Sequence, residues 1–168
     1  PDPTDVQDAP PDAFGRLVEF TRTQYESVIL DIPSPYTPIA KALLPSCDQI
    51  LVVCNPELPS LHLTRKCIAH LEHEGFAKDQ ISLILNRLSR RGELGPQDME
   101  RVFNFPITKV LPEDEAAVHR ALTAGKPLAE SSDLGKELAA FAKSLSGKAH
   151  EEKKKAAGLS LSALLSQG

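Results

Sequence analysis

Four places in the chain set a polar side chain at the end of a short apolar run. Asp31 follows Val28-Ile-Leu30, and Asn55 follows Ile50-Leu-Val-Val-Cys54. Asn86-Arg87 follows Ile81-Ser-Leu-Ile-Leu85, and Pro112-Glu113-Asp114 follows Ile107–Leu111. Val28–Leu30 and Ile50–Cys54 are unbroken, and unbroken apolar runs read as strands buried on both faces. A carboxylate at the end of such a strand can hold Mg²⁺ through water or orient an attacking water, since Mg²⁺ takes oxygen ligands and keeps several of its waters. An amide there offers an acceptor and two donors, which suits the hydrogen-bonding edge of a purine. The same residue types also form Asx-turns and cap helices, so each position alone has a plain structural explanation. Four of them on one rim would make a binding crevice, because open α/β sheets bind ligands outside the carboxyl ends of their strands.

The elements that would position these residues alternate along the chain. Strands are expected at Ser27–Ile32, Gln49–Cys54, Ile81–Leu85 and Ile107–Leu111. Asp12 is placed to cap a helix over Ala13–Gln24 with Phe14, Leu17, Val18 and Thr21 on one face. Thr37-Pro38 has the form of an N-cap and first helical residue, with Ile39, Ala42 and Leu43 turned inward. The longest helix runs from Pro59 to about Glu74, where Leu61, Thr64, Ile68 and Leu71 recur at three and four, and Gly75 stops it. Pro96 opens a short helix ending near Asn104. Glu113, Asp114 and Glu115 fill the first turn of another, complementing its dipole, and Gly125 ends that one. Ser131 or Ser132 starts a last helix with Leu134, Leu138, Phe141, Ala142 and Leu145 as its stripe. Repeated strand–helix alternation means an α/β fold with a parallel sheet of about four strands flanked by helices.

The 168 residues suit one domain, here 13–147, between a Pro- and Asp-rich segment 1–12 expected to be a flexible arm and a charged, weakly amphipathic tail 148–168 expected to be disordered. A chain that opens on proline suggests a processed or partial piece. Net charge is −4, which supplies no basic field for nucleic acid. Arg87, Arg90, Arg91 and Arg101 are read as a solvated loop patch, since few aromatics accompany them. Cys47, Cys54 and Cys67 are odd in number and form no Cys-x-x-Cys pair, so buried free thiols are expected rather than a disulfide frame or zinc site. His70 and His73 share a helix face without a third ligand.

Taken together, Val28-Ile-Leu-Asp-Ile-Pro33, Ile50-Leu-Val-Val-Cys-Asn-Pro-Glu-Leu-Pro59, Leu85-Asn-Arg87 and Leu111-Pro-Glu-Asp-Glu115 followed by Gly125-Lys-Pro127 resemble the MinD/ParA family of P-loop ATPases. The likeness covers about residues 14–146 and is nearest to the CpaE/TadZ-like branch that serves pilus assembly. It implies a doubly wound fold and an ATP-dependent switch that binds Mg²⁺ and dimerises around the nucleotide. It also implies a cytoplasmic place, at a pole or against a membrane, and partners in a pilus or secretion machine. By motif match, Asp31 would serve Mg²⁺ and water as the catalytic residue. Asn86 would contact adenine, with Arg87 beside it, and Pro112, Glu113 and Asp114 would line the base and ribose. DNA is not an expected partner. The segment 153–168 weakly resembles a membrane-touching tail, although its serines dilute the apolar face.

The chain departs from that family in one respect. No Gly-x-x-x-x-Gly-Lys-Ser/Thr occurs among its residues. Phosphate binding needs several backbone N–H groups aimed at one place, plus a lysine. The resemblance therefore implies a partial P-loop fold lacking its N-terminal strand and phosphate loop, inactive as an ATP hydrolase by itself. In the family the loop-bearing strand lies between the Asp31 strand and Gln49–Cys54, so its absence leaves a gap of ~10 Å. Either the Asp31 strand shifts across or the sheet keeps open edges. The alternative is a non-catalytic scaffold in the same localisation system. A receiver-like signalling domain ranks last, because Ile32-Pro33 and Asn86 stand where it needs acids.

Overall fold

The structure, a computed structural model, describes residues 11–89 and 95–146. The arm at 1–10, Arg90 and Arg91 of the basic patch, and the tail from 147 onward lie outside the described residues. Among the described residues six α-helices and three strands follow one another: α1 Pro11–Gln24, α2 Pro38–Leu43, β1 Ile50–Cys54, α3 Leu58–His73, β2 Ile81–Leu88, α4 Pro96–Phe103, β3 Ile107–Pro112, α5 Glu115–Ala124 and α6 over 133–146. The strands form one sheet of order β1-β2-β3, and both pairings are parallel.

The central strand explains the arrangement. Ile81 to Leu85 are all buried, so β2 is covered on both faces, as a parallel strand joined through helical crossovers must be. Leu83 and Leu85 are fully buried in the main core with Val52 and Cys54 of β1. Leu61, Ile68 and Leu71 of α3 and Met99 and Phe103 of α4 close over them. Each large side chain buried this way contributes about 1.5–3 kcal/mol relative to exposure. The one polar residue in this run, Ser82, is satisfied by the Gln49 amide, whose Nε2 donates to Ser82 Oγ at 2.8 Å. The α3 stripe is as the spacing predicts: Leu61, Thr64, Ile68 and Leu71 are its buried residues.

The expected strand at 27–32 is not one. Residues 25–32 form no ladder, and among the described residues β1 is the edge of a three-stranded sheet rather than an inner strand of four. A strand is defined by inter-strand bonds, and this segment has no neighbour to make them. It keeps an extended alternation instead: Val28, Leu30 and Ile32 are half-buried while Ile29 and Asp31 are exposed. Ile32 packs against the main core, and Ile29 is 92% exposed. Of the two outcomes expected for the gap, the sheet keeps its open edge. On β1 the side chains opposite the core, Leu51 and Val53, are 39% and 60% exposed.

Smaller corrections concern faces and ends. On α2 the buried residues are Ala40 and Leu43, followed by Leu44 in a 3-10 turn, whereas Ile39 and Ala42 face outward. Thr37 caps this helix as expected, accepting from the Ala40 N–H. α1 begins at Pro11, so Asp12 lies inside it, and only Val18 of its expected face is buried while Leu17 is exposed. Arg22 reaches from α1 to the Ser46 carbonyl and to Asp48, fastening the helix to the turn before β1.

Ser132, not Ser131, caps α6, its Oγ accepting from the Gly135 N–H at 3.0 Å. Lys109 of β3 meets Glu137 of α6 at 2.5 Å. Gly135 allows the preceding loop to close on the helix, because a Cβ there would lie 2.1 Å from the Ala129 carbonyl oxygen. Overpacking against backbone cannot be relieved by a rotamer change. Gly135→Ala is therefore expected to destabilise the chain by about 1–3 kcal/mol in denaturant unfolding. Ala139→Gly, on the half-buried side of the same helix, should cost no more than about 1 kcal/mol.

The three cysteines are free thiols, as expected, but only Cys54 is buried, and Cys47 and Cys67 are half-buried. Burial pushes the Cys67 thiol above its ordinary value of 9.0. Burial also raises that of Cys47, with Asp48 adding to it and Arg22 opposing. A thiol held protonated in the fold favours folding below the ordinary value, and that gain is lost as pH climbs through the raised one. Iodoacetamide should alkylate both slowly at neutral pH, with the native-state rate rising at higher pH than in urea-unfolded chain.

Candidate functional site

Because the three strands are parallel, their carboxyl ends share one rim. Register sets the details. Cys54 pairs with Leu85, so Asn55 and Asn86 follow side by side. The Asn86 amide is half-buried, and its Nδ2 donates to Asn55 Oδ1 at 3.4 Å. The Asn55 turn is itself fastened to α3, since its backbone N–H donates to Ser60 Oγ at 3.1 Å.

Asn86 and Arg87 lie within β2, which runs on to Leu88, rather than beyond its end as the sequence suggested. Between Leu85↔Val110 and Leu88↔Pro112 the pairing slips, with two residues of β2 facing one of β3. That is a β-bulge, and such bulges re-aim side chains. Arg87 takes the left-handed conformation there, φ 55°, uncommon for a residue with a long side chain. Its guanidinium crosses to the start of α5 and meets Glu115 Oε1 at 3.1 Å. Both partners are exposed, so the pair contributes little, about 0–1 kcal/mol.

From β3, Pro112 pairs with Leu88, and the Glu113 N–H donates to the Leu88 carbonyl at 3.2 Å. Asp114 is the N-cap of α5, not part of its first turn: its Oδ1 accepts from the Ala117 N–H at 3.1 Å. The structure thus brings together Asn86, Arg87, Pro112, Glu113 and Asp114, and adds Asn55. Asp31 is exposed, and among the described residues no hydrogen bond or ion pair joins it to this rim. Asn55 was visible in the sequence as the polar end of a strand, but its contact with Asn86 depends on register. Nothing in the sequence marked Glu115 as the partner of Arg87.

Chemically, the rim offers a pair of bonded amides, one arginine and two acids, of which Asp114 is also the helix cap. Asn86 fits a heterocyclic base, because one N–H and its Oδ1 remain after the bond to Asn55. Among the described residues no cluster of three or more His, Cys, Asp or Glu could hold a metal ion. A lone carboxylate such as Asp31 suits only Mg²⁺ that takes its other ligands from water and phosphate. A cavity of about 530 Å³ opens beside the rim on the outer side of β3. Leu88, Ser89, Lys109, Pro112 and Glu137 line it, and neither Asn86 nor Asn55 does. Among the described residues no helix is long and apolar enough to cross a membrane.

No protein-family model matches the chain. It is 31% identical over 121 residues to an uncharacterized ATP-binding protein of Methanocaldococcus jannaschii, covering 71% of this chain and 45% of that protein. It is 26% identical over 110 residues to the septum site-determining protein MinD of Thermotoga maritima, covering 62% and 41%. The chain spans less than half the length of these curated relatives. In fold it is similar to a ParA family ATPase from Chlorobium tepidum, with a TM-score of 0.78 at 23% identity, covering 84% of this chain and 61% of that one. It is also similar to a MinD cell division protein of Aquifex aeolicus, with a TM-score of 0.69 at 23% identity, covering 82% and 61%, and to a chain of the MinC:MinD complex of the same organism. The sequence relatives are thus an ATP-binding protein and a MinD, and the chain shares its fold with structures of a ParA family ATPase and of a MinC:MinD complex.

Proposed function

We propose that the chain is the adenine-side portion of an ATP-dependent positioning switch, completed by a further part of its parent protein that carries the phosphate loop. The observation that carries this reading is the half-buried Asn86 amide on the carboxyl rim, flanked by Pro112–Asp114, in a fold shared with ParA-family and MinD proteins. In this reading Asn86 contacts adenine, and Pro112, Glu113 and Asp114 line the base and ribose. Arg87 borders the base while its ion pair steadies the start of α5. Asp31 serves Mg²⁺ and the attacking water once the missing strand draws its segment into the sheet. ATP, when bound with Mg²⁺, supplies the energy of the switch, and the intact protein dimerises around it. The machine it positions is a pilus or secretion assembly, on the strength of the Asn-Pro-Glu-Leu-Pro and Leu-Asn-Arg segments.

A scaffold without catalysis is the second reading. It is favoured by one observation: Asp114 and Arg87 are already occupied in a helix cap and an ion pair.

Phosphate release with Mg²⁺-ATP separates the two. This chain alone should show no turnover above a buffer blank. The full-length parent should turn over ATP, and Asp31→Ala should abolish that activity. A parent without turnover, binding its partners equally well with and without ATP, would establish the scaffold instead.

The open edge gives an independent measurement. Val53 is exposed here, so Val53→Lys should change the stability of this chain by no more than about 0.5 kcal/mol. In the parent, where a strand and its cover would bury that face, the same substitution should cost several kcal/mol (about 3–5) as an unpaired buried charge. Equal, small effects in both would show that nothing covers β1.

A further inference from the structure

We infer that the hollow between α5 and the loop leading to α6 is an anion site that takes a phosphate group, apart from the rim and independent of the role proposed for Asn86. The hollow holds about 390 Å³, and none of the rim residues lines it. Arg120 of α5 and Lys126 of the loop both line it, together with Ser131 and Ser132, and no carboxylate does. Among the described residues no ion pair joins Arg120 or Lys126 to an acid, whereas Arg22, Arg87 and Lys109 each meet one. The cavity beside β3 has the opposite character, because there Lys109 and Lys136 are matched by Asp133 and Glu137. In a chain of net charge −4, two cations on one recess without an acid between them leave a local charge that an anion would neutralise.

The walls of the hollow are tied in place. Gly125 ends α5 in the left-handed conformation, φ 60°, and the Lys126 N–H donates to the Ala121 carbonyl at 3.0 Å. Lys126 therefore projects from a fixed backbone. Across the hollow the Ser132 N–H and Oγ both donate to the Ala129 carbonyl, at 3.0 and 2.8 Å, and Gly135 lets α6 close on it. Ala117, Ala121 and Ala124 carry only methyl groups, so α5 leaves the space open. A phosphate group has more than one negative charge near neutrality and several acceptor oxygens. The Arg120 guanidinium offers it a fork of donors, the Lys126 ammonium a compact charge, and the exposed Ser131 hydroxyl a further donor. A carboxylate, with one charge, would leave one of the two cations unmatched. Because the walls are already held, little ordering is needed when the anion arrives.

Inorganic phosphate is the probe. Added to this chain at constant ionic strength, it should move the ¹⁵N resonances of Lys126, Ser131 and Ser132 and of the Arg120 side chain, and the shifts should saturate. Arg120→Gln and Lys126→Gln should each weaken the affinity roughly tenfold, the worth of one hydrogen bond to a charged group. Lys143→Gln, on α6 but outside the hollow, should leave it unchanged. Shifts that never saturate would overturn the inference. So would an affinity that folded Arg120→Gln and Lys126→Gln chains retain. Vesicle sedimentation then separates two sources of the phosphate. Pelleting with phosphatidic acid but not with phosphatidylcholine alone, lost in Arg120→Gln, would put it on a lipid headgroup. Saturation by inorganic phosphate without pelleting would put it on a soluble phosphate ester. Both of these results keep the site.

Discussion

The whole arrangement depends on a parallel strand, β2, that must be covered on both faces and paired on both sides. Its five leading residues are buried, and the main core is built largely on Leu83 and Leu85. Parallel pairing with β1 and β3 then brings three strand ends to one rim without further instruction. The rim is therefore a by-product of how the core is satisfied. What differs from strand to strand is local: an Asn-Pro turn after β1, a bulge at Asn86-Arg87, and a capped helix start after β3.

Much of this was legible in the residues. The α3 face was readable because sixteen residues give more than four turns, enough for a stripe to define itself. α2 has six residues, fewer than two turns, and there the expected face held only at Leu43: Ala40 is inward, and Ile39 and Ala42 are not. In so short a helix, docking decides which side is buried. Of the three strands that exist, β1 was recognised by its unbroken apolar run, and β2 and β3 by largely apolar runs closed by polar or proline residues. Val28–Leu30 has the same composition, yet it forms no strand, because ladder bonds belong to a pair and a run of residues cannot declare its neighbour. The position of Asp31 relative to the rim inherits that uncertainty of pairing, while Asn86, between two neighbours, does not. The bulge at Arg87 and the contact of Asn55 with Asn86 arise from register between segments about thirty residues apart, which no local pattern encodes.

Asp114 has a structural role of its own, beside the binding role proposed for it. Its side chain closes the start of α5 by accepting from Ala117. A second bond, from the Glu113 N–H to the Leu88 carbonyl, ties the loop Pro112–Asp114 to the end of β2. A rim built from such tied loops is pre-organised, so a ligand arriving there need not spend part of its interaction on ordering it.

The attachment of α6 has a further consequence. Its contact with the sheet includes a charge pair, Lys109 with Glu137, its tight backbone approach at Gly135 is to its own preceding loop, and Leu138 of its apolar stripe is 39% exposed. A helix held in this way detaches at lower free energy than the strands beneath it. In native-state hydrogen exchange, its amides would form an early-opening unit, sensitive to ionic strength, that lifts while β2 stays closed.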